Sequence, residues 1–206
     1  MKPRVSRAFI LLATSLCGVV AFAAISEEVK QHRTANLDGR ARRKFPKRRR
    51  RLTKKLATLV GPMGKEWIHG PVAAVVALLL WRQGRRAGAT TVLASSALSA
   101  GLGHLFERTV TPRKPPPGRH SPTEPSFPSG HALETSSVSL TMAYVLVREG
   151  MADGRIALPA ALAVPAISGI GRLYLDRHWT TDVLAGWVAG TAVAAGCAAA
   201  YEAAAD

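Results

Sequence analysis

Apolar residues along this chain gather into six blocks, and most of the charge lies between them. Residues 8–25 (AFILLATSLCGVVAFAAI) are uncharged and approach the ~20 residues of helix that cross a ~30 Å bilayer core. The second block, about 67–81, includes His69, and the third, 87–105, carries His104. The fourth, 132–147, holds Glu134, and the fifth, 156–171, contains Pro159 and Pro165. Membrane helices tolerate such prolines when neighbouring helices satisfy the freed carbonyls. The sixth, 183–201, is rich in alanine and glycine, a texture suited to helices packed backbone to backbone. The second, fourth and fifth blocks are marginal alone and must borrow flanking residues. The pattern predicts an all-α protein, a polytopic membrane bundle of six helices with its working loops at helix ends. It divides the chain into an N-terminal apolar segment plus basic loop, 1–65, and a core of transmembrane helices, 66–206. A competing reading makes residues 1–25 a cleaved leader, since MKPRVSR before an apolar run fits that plan.

The mean hydropathy of +0.09 conceals this segregation by averaging. A net charge of +15 raises the question of nucleic acid, but 11 of the 28 basic residues lie in one run, 40–55 (RARRKFPKRRRRLTKK). Without that run, 17 basic residues face 13 acidic ones. A local cluster of this kind reads as a solvated or headgroup-facing segment. It lacks the aromatic interleaving of a nucleic-acid site, so no nucleic-acid partner is expected. Cys17 and Cys197 both sit inside apolar blocks and read as small buried hydrophobes.

Charge also bears on orientation. With a cytoplasmic N-terminus, Lys2, Arg4, Arg7, Arg82, Arg85, Arg86, Arg148 and Arg155 all lie inside, and the loops 106–131 and 172–182 face outward. The loop 26–66, with its basic run, then falls outside against the rule.

Three segments place ionisable groups at helix mouths, where a membrane protein bears them only at a cost. The loop ERTVTPRKPPPGRH (107–120) concentrates Arg108, Arg113, Lys114 and Arg119 among prolines that keep it extended. In FPSGHA (127–132), Ser129 precedes Gly130 and His131 as the fourth block opens. Ser129 reads as a helix N-cap, the amides of that first turn as an anion site, and Gly130 as a point of close backbone approach. In GRLYLDRHWTTD (171–182), Arg172 lies six residues before His178 and Asp182 four after it. If a helix has begun near His178, that spacing sets Asp182 on its face. A carboxylate on one ring nitrogen would fix the tautomer and free the other as a nucleophile. Thr180 and Thr181 are the expected caps of the last helix.

Together the segments hold what phosphoryl transfer through a phosphohistidine needs, without a metal or other cofactor. His178 attacks phosphorus with Asp182 orienting it, and His131 protonates the leaving oxygen. Arg172, Ser129, Gly130, Lys114, Arg113 and Arg108 hold the phosphate. No HExxH, cysteine cluster or paired-carboxylate pattern calls for a metal, and no GxxxxGK[ST] loop for a nucleotide.

These residues resemble the type 2 phosphatidate phosphatase superfamily, membrane lipid phosphatases related to bacterial acid phosphatases and vanadium haloperoxidases. The family's motifs are KxxxxxxRP, PSGH and SRxxxxxHxxxD. PSGH is intact at 128–131, and the third motif has Gly171 in place of serine with Arg172, His178 and Asp182 in register. The first motif departs: Glu107 stands at the lysine position and Lys114 at the arginine position, with Arg108 and Arg113 one place off. The resemblance covers roughly residues 66–201. With the outward-facing loops that the charge pattern gives, the expectation is a multi-pass cell-membrane enzyme with an extracytoplasmic active site. The substrate the resemblance implies is a lipid phosphate such as a polyprenyl diphosphate, phosphatidate, phosphatidylglycerol phosphate or a polyprenyl-phosphosugar phosphate. Alternatives are transfer of the phosphoryl group to an acceptor other than water, and an impaired membrane protein that binds anionic lipid through its basic run.

Overall fold

The computed structural model describes residues 6–44, 66–110, 113–117 and 125–205. Most of the basic run 40–55, together with Arg119, lies outside the described residues, as does the side chain of Glu107. Among the described residues there are seven helices and no strand: α1 (Arg7–Lys30), α2 (Ala35–Arg43), α3 (Glu66–Arg82), α4 (Arg86–Thr109), α5 (Gly130–Arg148), α6 (Gly154–Tyr174) and α7 (Thr180–Ala205). Every apolar block has become a helix, and α2 is an addition that the apolar pattern did not predict.

By length and composition, α1, α4, α6 and α7 can each cross a membrane, whereas α3 is a shorter apolar helix. The fourth block fails that measure for a physical reason. α5 is the central helix, packed against α3, α4, α6 and α7, and it faces protein on most sides. It therefore carries buried Thr135, Ser136, Ser137, Ser139 and Thr141. Their hydroxyls are matched inside the bundle: Ser95 Oγ on α4 lies 2.8 Å from Ser137 Oγ and 2.9 Å from Thr141 Oγ1. Ser139 Oγ donates to the Ala161 carbonyl of α6 at 2.9 Å. That carbonyl is the one Pro165, lacking an N–H, leaves unbonded four residues on. A serine of the neighbouring helix thus satisfies the proline, as the fifth block requires.

Outer faces are apolar. Phe9, Leu16 and Val20 of α1, Val75 and Leu78 of α3, and Ile156, Leu162 and Ile170 of α6 are all exposed. An apolar surface on this scale suits lipid and not water. α1 lies along α7, where Ser15 Oγ donates to the Ala192 carbonyl at 2.8 Å.

The α5–α7 contact brings two functional helix heads together, and it depends on glycine. A Cβ at Gly190 would stand 2.3 Å from the Leu133 carbonyl oxygen, and one at Gly186 would stand 2.5 Å from that of Ser129. Gly190→Ala therefore forces the backbones apart, and overpacking of this kind costs about 1–3 kcal/mol. Thermal unfolding in detergent should show that loss, whereas Gly101→Ala, where a Cβ meets nothing within 4 Å, should unfold at the wild-type temperature or slightly above it.

Candidate active site

The site lies where the heads of α5 and α7 meet the end of α6 and the segments 113–117 and 125–129. Burial of Phe127 anchors the PSGH segment: it packs with Val29 and Ala185 and stacks on Phe22 of α1 with ring centroids 6.3 Å apart. The Ser129 N–H donates to the Asp182 carbonyl at 3.0 Å, tying the two helix heads to each other directly.

Ser129 occupies the N-cap position of α5, as expected, but its side chain makes no capping bond. Its Oγ is fully buried and has no hydrogen-bond partner among the described residues. Burying a hydroxyl in this way is costly unless something accepts from it or donates to it. A Cβ added to Gly130 would enter open space, so the chain is uncrowded beside that hydroxyl and the amides of the first turn. His131 follows on the same turn, half-buried.

α6 ends in a reverse turn. Arg177 N–H donates to the Arg172 carbonyl at 2.9 Å and Asp176 N–H to that of Leu173 at 3.2 Å, with Asp176 at φ 53°. This is a Schellman closure with aspartate where glycine is usual. It leaves Arg172 buried in the last turn of α6 and sends the chain back towards α7 with His178 at the bend.

Here the structure gives His178 Nδ1 a nearer partner than the expected Asp182. α7 begins at Thr180, so His178 precedes the helix and the i, i+4 geometry is not helical. His178 Nδ1 lies 2.7 Å from the Ser126 carbonyl oxygen and 4.0 Å from Asp182 Oδ2. A carbonyl only accepts, so Nδ1 carries the proton and Nε2 keeps its lone pair. The tautomer expected from Asp182 is thus set by the Ser126 backbone.

Asp182 is occupied otherwise. Its Oδ2 accepts from the Trp179 N–H at 2.7 Å, and its Oδ1 is 2.6 Å from Arg113 Nη1. Arg113 is likewise committed, contrary to its expected place on the phosphate. The same Nη1 donates to Thr181 Oγ1 at 2.7 Å, while Nη2 pairs with Asp38 at 2.6 Å. Its guanidinium also lies 5.4 Å from the ring centroid of Trp179. Two buried carboxylates and an aromatic face hold this arginine as a clamp. Lys114 is exposed, and its carbonyl accepts from Trp179 Nε1 at 2.9 Å. Arg108 is exposed in the last turn of α4. Neither Thr180 nor Thr181 caps α7 through its own side chain in the way foreseen: the Thr181 hydroxyl and N–H both go to Asp38, at 2.7 and 3.0 Å.

Sequence reasoning missed Asp38, Arg42, Ser126, Asp176 and Trp179. Arg42 Nε pairs with Asp176 at 3.2 Å, and its Nη2 donates to the Pro117 carbonyl at 2.6 Å. The one available signal was Asp38 itself, a lone acid at the head of a long basic stretch.

The chain is 30% identical over 149 residues to the undecaprenyl-diphosphatase of Sulfolobus acidocaldarius, across 66% of this chain and 68% of that protein. Its fold matches the crystal structure of a transmembrane PAP2 type phosphatidylglycerolphosphate phosphatase from Bacillus subtilis. The TM-score is 0.75 at 19% identity, covering 87% of this chain and 92% of that one. The family model of the PAP2 superfamily matches residues 87–205, a span that takes in more than half of the chain and both histidine-bearing helix heads, and the protein belongs to that superfamily.

Proposed function

We propose that the protein is a multi-pass membrane phosphatase that hydrolyses a lipid phosphate or polyprenyl diphosphate through a phosphohistidine on His178, without a metal. α1 and α3–α7 form six spans, with α3 and α5 completed by flanking residues. Arg82, Arg85, Arg86, Arg148 and Arg155 gather at the end remote from the site, a charge pattern that supports a cytoplasmic position for that end and an extracytoplasmic one for the site.

The observation that carries the reading is the His178–Ser126 bond, which puts the imidazole lone pair on Nε2, in a site that also holds buried Arg172 and a buried Ser129 hydroxyl with no hydrogen-bond partner among the described residues. Nε2 attacks phosphorus in line with the bond to the leaving oxygen. The P–N bond forms as the P–O bond breaks, and His131 gives a proton to the departing lipid or lipid phosphate. Arg172, the Ser129 hydroxyl and the amides at Gly130 and His131 hold the non-bridging oxygens, with Lys114 and Arg108 at the exposed rim. Asp182, 4.0 Å from the ring, stabilises the positive charge that the imidazole gains once phosphorylated. Water, deprotonated by His131, then attacks phosphorus, and the P–N bond breaks with its electron pair returning to Nε2 of His178, releasing inorganic phosphate.

The relatives are named for different lipids, so the test is a panel. Protein purified in detergent should release inorganic phosphate from polyprenyl diphosphate faster than from phosphatidate or phosphatidylglycerol phosphate, and at an unchanged rate in EDTA. Activity lost to the chelator, or release from none of the three, would overturn the reading. A phosphorylated acceptor in place of free phosphate would make the enzyme a transferase.

A further inference from the structure

We propose that Asp38 is a positioning residue of the active site, supplying from α2 the cap that the first turn of α7 lacks. The inference rests on the reading of His178 as the nucleophile.

The first N–H groups of a helix have no partners within it, and an N-cap side chain normally accepts from one of them. The residue before α7 is Trp179, whose side chain has no acceptor. Half of a capping box is nevertheless present: Asp182, third in the helix, accepts the Trp179 N–H at 2.7 Å. The other half comes from 143 residues away. Asp38 Oδ1 accepts the Thr181 N–H at 3.0 Å, and Oδ2 accepts the Thr181 hydroxyl at 2.7 Å. A carboxylate here is also favoured by the positive end of the α7 dipole.

Asp38 is 1% exposed, and a carboxylate so deep needs a counterion. Arg113 provides it at 2.6 Å and bridges to Asp182 at the same distance. One turn further along α2, Arg42 holds Asp176 at 3.2 Å, on the other side of the bend. α2 therefore grips both shoulders of the segment 176–181, and His178 is the residue between them. A bend fixed at both sides directs Nε2 without any contact between Asp38 and substrate.

The test compares Asp38→Ala and Asp38→Asn with Asp153→Ala. Asp153 caps α6 at the opposite end of the bundle, accepting from the Arg155 N–H at 2.8 Å, and so reports loss of a cap as such. Each variant is assayed on polyprenyl diphosphate in detergent, and the His178 ring resonances are followed in ¹⁵N-histidine-labelled protein, assigned by difference from His178→Gln. Asp38→Ala should lower kcat by about tenfold or more with KM within about twofold, and should shift the His178 resonances. Asparagine is a good cap acceptor, so Asp38→Asn should keep at least about a third of kcat. Asp153→Ala should lower the unfolding temperature and leave kcat alone. Unshifted His178 resonances with wild-type kcat in folded Asp38→Ala would overturn the proposal, as would equal kcat losses in Asp38→Ala and Asp153→Ala. Should Asp38→Ala not fold, Asp38→Asn decides: retained kcat with His178 resonances in place supports capping, and loss of both rejects it. If wild-type protein releases no phosphate, the functional reading fails, and the resonances alone judge the positioning.

Discussion

His178→Ala should abolish turnover of the lipid substrate, with a fall in kcat on the order of 10⁴-fold or more, while the bundle stays folded. Loss of a nucleophile removes the covalent route itself, and the binding groups left behind recover only a small part of the rate. The structural cost is small by comparison. The imidazole lies in a bend ahead of α7 and not in the packed core, where Nδ1 bonds to the Ser126 carbonyl at 2.7 Å. Phosphate release and unfolding temperature, measured on the same preparation, separate the two effects. A second readout follows from the chemistry: quenching the wild type with ³²P-labelled substrate should trap a protein-bound phosphate that is stable to alkali and labile to acid. That label should be missing from the variant. Full activity in His178→Ala would end the proposed mechanism.

Arg113→Ala should cost about 3–5 kcal/mol of stability, the usual consequence of removing one member of a buried ion pair. Here the arginine serves two carboxylates, on Asp38 and Asp182, which are 1% and 0% exposed at their side chains. Without it two negative charges face each other in an apolar setting. Arg113→Lys should recover only part of the loss, because an ammonium is a point charge and cannot reach both acids as the guanidinium fork does. The measurement is the unfolding midpoint in detergent, set beside KM. A variant with wild-type stability and a raised KM would return Arg113 to the phosphate, where the spacing of the basic loop had put it.

That reversal of role shows what the sequence could and could not carry. The six apolar blocks, the PSGH head of α5 and the Arg172–His178–Asp182 register were legible because local patterns encode helix extent and family motifs. The Ser126 carbonyl was not, since any residue supplies a carbonyl and only the fold brings this one to an imidazole ring. Likewise, four basic side chains in 107–120 look equivalent as a string, and Arg113 is singled out only by two acids from remote parts of the chain. The offset between Lys114 and Arg113 in the first motif thus has a physical side: one arginine is withdrawn to hold the scaffold, and its neighbour is left at the surface. The helical character of α2 was hidden by its composition, since a nine-residue helix rich in arginine has little apolar signal and is held mainly by its partners.

The capping of α7 by a residue of α2 has a consequence for biogenesis. Asp38 leaves the ribosome long before Thr181, so the acceptor is made first and waits for its donor through the insertion of every later span. Until the last helix arrives, Asp38 and Arg113 can pair with each other but have no bend to grip. On the proposed mechanism His178 is consequently set only when α2 and α7 meet, and phosphate release is expected only from protein whose last helix has inserted.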